Sequence, residues 1–244
     1  MGRILVCSVL ALAAATAPLR AQSGEGFLFG APDARFTLHT GYARAGAGSD
    51  LFGQMMSDLT LNKSDFSGVE IGAELAIPLS PRLDLAFQAD YTGRGKTSEY
   101  RNLIDNNNQP IQQTTSFRRA PFTANLRAYL APTGRAIGKL AWIPAEVVPW
   151  IGIGGGAMWY EFKQSGDFVD MSTMRVYHDT FESSGWGPAA QAMGGVDLNL
   201  SPRVAFTADL HYIWSRASLG PDYVGFDRID LSGVSTTLGF TFRL

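Results

Sequence analysis

Apolar and polar residues alternate one by one through long stretches of this chain, and the alternation is cleanest in its last stretch. One face carries Val234, Thr236, Leu238, Phe240, Phe242 and Leu244; the other carries Ser235, Thr237, Gly239, Thr241 and Arg243. A period of two places successive side chains on opposite faces of a strand, so this segment reads as a strand with one apolar and one polar face. Aromatic residues thicken toward a final apolar Leu244, where the end of a soluble chain usually frays into polar residues.

Seven more segments share the pattern. The first runs from about residue 35 to 43, with Phe36, Leu38, Thr40 and Tyr42 on its apolar face. The second, about 66 to 77, sets Val69, Ile71, Ala73, Leu75 and Ile77 against Glu70 and Glu74. The third sets Leu83, Leu85, Phe87, Ala89 and Tyr91 against Asp84, Gln88 and Asp90, and the fourth, about 118 to 130, sets Phe122, Leu126 and Leu130 against Arg119 and Arg127. In the fifth, about 147 to 163, either phase carries large apolar groups; Ile151, Ile153, Ala157 and Trp159 are read as outward, leaving Gly152, Gly154 and Gly156 inside. The sixth, about 186 to 200, turns Asp197 inward, and the seventh, from Val204, turns Asp209 and His211 inward. Each is near the roughly 9–11 residues a tilted strand needs to cross a bilayer. The prediction is an all-β chain over 35–244, an eight-stranded antiparallel transmembrane β-barrel. Tyr91, Trp150, Trp159, Tyr212 and Trp214 are expected in its interfacial girdles.

The connections supply an orientation. Leu79-Ser80-Pro81-Arg82 and Leu200-Ser201-Pro202-Arg203 are two copies of one tight turn, with Pro fixing the second position. Connections after the second, fourth and sixth strands are short or, at about 131 to 145, moderate. Those at about 44–65, 92–115, 164–185 and 216–228 read as long polar loops. Short periplasmic turns and longer surface loops would put both termini in the periplasm.

The closing strand, with Phe240, Phe242 and Leu244, resembles the C-terminal insertion signal of bacterial outer-membrane β-barrels, although Leu244 stands where that signal usually has Phe. The whole pattern is similar to the small eight-stranded barrels of the OmpA-transmembrane-domain and OmpW-like kind. That resemblance implies an outer-membrane location, outer-membrane lipids as surroundings, handling by the barrel-insertion machinery and a monomer. It leaves three activities open: a structural or adhesive barrel that presents surface loops, a narrow channel for small or apolar solutes, or an enzyme acting on lipid A.

The front of the chain agrees with such a compartment. Met1-Gly2-Arg3 is a short basic start, residues 4–17 form an apolar run, and Ala21 precedes an acceptable cut, so residues 1–21 read as a secretory signal peptide and 22–34 as an N-terminal periplasmic segment. The single cysteine, Cys7, leaves with the signal, which removes disulfides and thiolate chemistry. Formal charge is -2, and losing Arg3 and Arg20 moves it to -4, which points away from a nucleic-acid partner.

Candidate chemistry is sparse. His211 with Ser215 or Ser218 is the grouping closest to a hydrolase site, yet it lacks the close His and Ser spacing of the lipid A deacylases. A lumen histidine satisfied by Asp209 or Gln191 accounts for it. Asp167, Asp170, His178 and Asp179 share one loop without a metal-ligand spacing, and residues 152–156 lack the Lys-Ser/Thr of a phosphate loop. No catalytic residue, metal or cofactor is expected. The phases instead send Glu70, Glu74, Asp84, Asp90, Asp197 and Asp209 into the lumen, opposite Arg119, Arg127 and Arg243. Eight strands enclose a space that side chains fill, so these charges should form a closing network with Arg127 at its hub, for Glu74, Asp84 or Asp209.

Overall fold

A computed structural model describes residues 26–244 apart from 106, 107, 139 and 171; the signal peptide expected at 1–21 lies outside the described residues. Eight long strands follow one another: β1 (Arg35–Ala45), β2 (Gly68–Ser80), β3 (Leu83–Ile104), β4 (Pro110–Tyr129), β5 (Val147–Asp170), β6 (Arg175–Asn199), β7 (Val204–Ala217) and β8 (Gly233–Arg243). Each pairs antiparallel with the next, and β8 returns to pair with β1 from Gly233↔Ala45 to Arg243↔Arg35. The sheet therefore closes on itself without a free edge.

Alternation decides what each face meets. Leu38, Val69, Ile71, Phe87, Phe122, Leu126, Ile151, Ile153, Leu210, Leu238, Phe240 and Phe242 are exposed on the outer wall. Thr37, Glu70, Glu74, Gln88, Asn125, Arg127, Gln191, Thr237 and Thr241, on the alternate phase of the strands, are buried inside. Water would hold these two sets the other way round, so the molecule is an eight-stranded antiparallel transmembrane β-barrel, apolar outside and polar within. In β5, Ile151 and Ile153 are outward and Gly152 is buried. Two inward glycines are required by close approach: a Cβ on Gly154 would lie 1.9 Å from Asn125 Oδ1, and one on Gly72 would lie 2.0 Å from Asp90 Oδ1.

The tight turns form where expected. Ser80 Oγ accepts from Arg82 N (3.3 Å), and Ser201 Oγ accepts from Val204 N (3.1 Å). Two of the four predicted loops do not. Residues 92–104 and 110–115 continue β3 and β4, and 164–170 with 175–185 continue β5 and β6, as paired strands. The physical reason is an inversion of polarity at the outer rim. Along β4 the outward row passes from Phe122 to Arg118, Ser116 and Thr114, while the inward row passes from Thr123 to Phe117 and Ile111. Along β5 the outward row passes from Trp159 to Glu161 and Lys163, and the inward row to Tyr160 and Phe162. Beyond the membrane the outer face meets water and the inner face meets protein. The alternation reverses sign while the strand runs on.

Candidate functional site: a filled lumen between two caps

The middle of the barrel is bridged by side chains from many strands. Arg127 of β4 donates to Glu74 of β2 (2.6 Å), and its guanidinium lies 3.9 Å from the Trp150 ring centroid, where charge and aromatic face attract. Arg35 pairs with Asp84, and Tyr129 donates to Asp84 Oδ2 (2.7 Å). Asp197 accepts from Trp150 Nε1 (3.1 Å) and Thr207 (2.9 Å). One turn of the ring away, Gln191 Nε2 reaches Gln88, Thr123 and Asn125 at 2.8–3.2 Å. His39 Nε2 meets Asp90 at 2.6 Å, and His211 Nδ1 meets Asp209 at 3.1 Å. Glu70 accepts from Ser235 (2.9 Å) and Thr92 (3.2 Å).

Beyond this network, the mouth on the side of the long connections is closed by an apolar plug. The connection after β1 forms a helix, α1 (Asp50–Asp58), and its apolar Leu51 and Phe52 are fully buried. Phe52 stands edge to face with Phe66, Phe117 and Phe162 at centroid distances of 4.7, 5.3 and 5.7 Å, the geometry that ring quadrupoles favour. Leu59, Leu61, Ile229 and Leu231 complete the layer, so the first and last long connections meet over the lumen. Arg119 ties cap to barrel by donating to the Leu231 carbonyl (2.8 Å). Tyr223, on the last connection, donates to the Phe181 carbonyl (3.2 Å), and burial pushes its hydroxyl pKa up.

The opposite mouth, beside the tight turns, has its own cover. Two short strands, Gly134–Ile137 and Ala141–Pro144, pair as a hairpin, and Leu28–Phe29 adds a third. Trp142 of this hairpin is buried, with the Arg243 guanidinium 5.6 Å from its ring. Arg243 also pairs with Asn199 and donates to the Pro202 carbonyl (3.1 Å).

All nine residues assigned to the lumen point inward, with Asp209 less deeply buried than the others. Their pairing differs from the expected hub. Arg127 meets Glu74, whereas Asp84 goes to Arg35 and Asp209 to His211 and Thr237. Arg119 and Arg243 spend their donors mainly on backbone carbonyls. Phe240, Phe242 and Leu244 lie on the outer wall. Trp150 is a correction: it is buried in the lumen, because Asp197 satisfies its N–H and Arg127 covers its ring. Sequence reasoning passed over Arg35 and His39, although both share the inward phase of Thr37 and could have been found by extending it.

Among the described residues no serine hydrogen-bonds the His211 ring; Ser215 uses its N–H on Ser232, and the Ser218 carbonyl accepts from Tyr160. Gln191 is engaged elsewhere. Where β5 and β6 project, His178 Nδ1 meets Asp167 (2.9 Å), and no group of metal-ligating residues forms among the described residues. Hydrogen bonds from Ser172 and then Thr173 hold the Asp170 carboxyl down at about 2.

No protein-family model and no curated protein matches the sequence. Among solved structures, the chain is similar to the outer membrane protein OprG from Pseudomonas aeruginosa, at 16% identity over 89% of this chain and 99% of that one, with a TM-score of 0.47. It is also similar to Neisserial surface protein A, at 12% identity over 88% and 99% with a TM-score of 0.44. A third is Ail, the attachment invasion locus protein of Yersinia pestis, solved with the heparin analogue sucrose octasulfate, at 13% identity over 87% and 99% with a TM-score of 0.41. No residue role is carried over from them.

Proposed function

We propose that the protein is a closed, monomeric outer-membrane barrel whose work is done at its outer surface, where it presents a projecting sheet for adhesion or envelope contacts. The observation that carries this reading is the filling of the lumen at three levels: the Trp142 hairpin, the charged network and the aromatic plug around Phe52. A solute path would have to break all three. Meanwhile β3 to β6 run past the apolar wall and hold a four-stranded sheet whose outer face is polar and self-paired, as in Arg118–Glu161 (2.7 Å) and Lys163–Glu182 (3.3 Å). The apolar wall supports a lipid setting, and the insertion machinery would read Phe240, Phe242 and Leu244. Both termini then belong in the periplasm, on the side of the two tight turns.

Two measurements test this. Purified protein in planar bilayers should show no stable conductance of porin size; a large, steady open level would replace this reading with a channel. Protease added to intact cells should cut beside Arg175 at the tip of β5 and β6, and cutting confined to the turns at Arg82 and Arg203 would invert the topology.

A further inference from the structure

The lumen between the two caps holds unequal charge. Among the described residues six carboxylates face inward, Glu70, Glu74, Asp84, Asp90, Asp197 and Asp209, against four guanidiniums, Arg35, Arg119, Arg127 and Arg243. Two arginines meet carboxylates directly, in Arg127–Glu74 and Arg35–Asp84. Three of the remaining acids converge on the two lumen imidazoles. His39 of β1 meets Asp90 of β3 at 2.6 Å, with Glu74 of β2 and Asp209 of β7 within electrostatic reach. His211 of β7 meets Asp209 at 3.1 Å and Glu70 of β2 at 3.4 Å, with Asp90 within reach. A small cavity of about 10 Å³ is lined by His211 and Glu70 together with Thr92 of β3, Arg119 of β4 and Ser235 of β8. Oε1 of Glu70, on a side chain that is almost wholly buried, accepts no hydrogen bond from its protein neighbours.

We propose that the lumen is a binding site for two protons, one shared within the His39–Asp90 pair and one within the Asp209–His211–Glu70 group. Four guanidiniums leave two of six negative charges uncompensated in a space sealed at both ends, and an unpartnered charge there is strongly destabilising. Two added protons make the lumen neutral, and two imidazoles stand where those protons would go. Each proton belongs to its group as a whole, since such close sites titrate together. The barrel interior is then a pH-sensitive lock that lies between the caps and depends on neither the projecting sheet nor its partner.

Histidines of an unfolded chain ordinarily release their proton near pH 6.5. A folded lumen that holds two protons above that value is fully stabilised by them below about pH 6.5 and loses that stability as pH rises. The test is urea unfolding of the full mature chain, refolded in detergent micelles, at half-unit steps from pH 7 to 9. The unfolding constant should rise with pH, by up to about 100-fold per unit while both protons are retained. His39→Gln and His211→Gln should each reduce that to about 10-fold, and the double variant should flatten it. A wild-type constant that changes by less than about 3-fold per unit overturns the proposal, whatever the variants do. Should a variant fail to fold, ¹⁵N spectra of the wild-type imidazoles at pH 7.5 locate the protons: resonances moved off those of a neutral ring support the assignment, and two ordinary neutral rings beside a flat curve refute it.

Discussion

Replacing Arg127 by Met isolates the pair at the centre of the barrel. Methionine keeps much of the volume beside Trp150 but removes the donor that Glu74 Oε2 receives at 2.6 Å. Glu74 is 4% exposed, so water cannot take the place of that donor. The variant has two ways to respond. Keeping an unpartnered buried carboxylate costs about 3–5 kcal/mol. Protonating it instead, from an ordinary value near 4.3 to pH 7, costs about 3.7 kcal/mol. The cheaper route sets the ceiling, so the loss at pH 7 should be about 3–4 kcal/mol, two to three orders of magnitude in the unfolding constant. Because the second route takes up a proton, the loss should shrink by about 1.4 kcal/mol for each unit of pH, leaving about 1 kcal/mol at pH 5 plus whatever the ring contact supplied. Urea unfolding in micelles at pH 5 and pH 7 measures both numbers, and Glu74→Gln added to the variant should recover most of the pH 7 loss. A loss under about 1 kcal/mol at pH 7, or one equal at the two pH values, would refute the claim that the pair is buried and mutually required.

Phe52→Ala removes the centre of the outer plug and should destabilise it by about 3–5 kcal/mol, read as faster proteolysis of the surface connections while the barrel keeps its heat-modifiable migration. Phe240→Lys places a charge on the outer wall, and a loss of up to about 2–4 kcal/mol should show as failed assembly; normal heat-modifiable folding would contradict the facing of β8. Acidification should release the tip of the third surface hairpin late, because the Asp170 carboxyl is held down at about 2: its hydrogen bonds are complete above about pH 4 and are lost as pH falls through 2, which amide shifts of Ser172 and Thr173 would follow.

What the sequence disclosed depended on whether a residue met one environment or several. In β2 and β8 each face sees one medium from end to end, so Val69 to Ile77 and Val234 to Phe242 read correctly from alternation alone. In β4 and β5 the medium changes at Arg118 and Glu161, and a pattern that reverses resembles a pattern that stops. Alternation therefore marks the rim, where only the surroundings end and the strands run on. Trp150 was misplaced for a related reason: an indole with an apolar body and a polar N–H suits a lipid interface and a polar lumen equally, and the choice rests on Asp197 and Arg127, which come from other strands. The partners of Arg127 could not be chosen in advance, because strand phase fixes a direction and pairing needs depth as well.

The reversal at the rim also separates two kinds of inheritance along the same strands. Inward positions such as Phe117, Tyr160 and Phe162 are tied to the plug, and a change there disturbs everything the plug touches. The alternate outward positions, Ser116, Thr114, Ser165 and Thr180 among them, answer only to strand propensity and to cross-strand neighbours such as Ser165 with Thr180. A lineage could rewrite that outer row residue by residue, altering what the projecting sheet presents to water, with the membrane-embedded part left as it was.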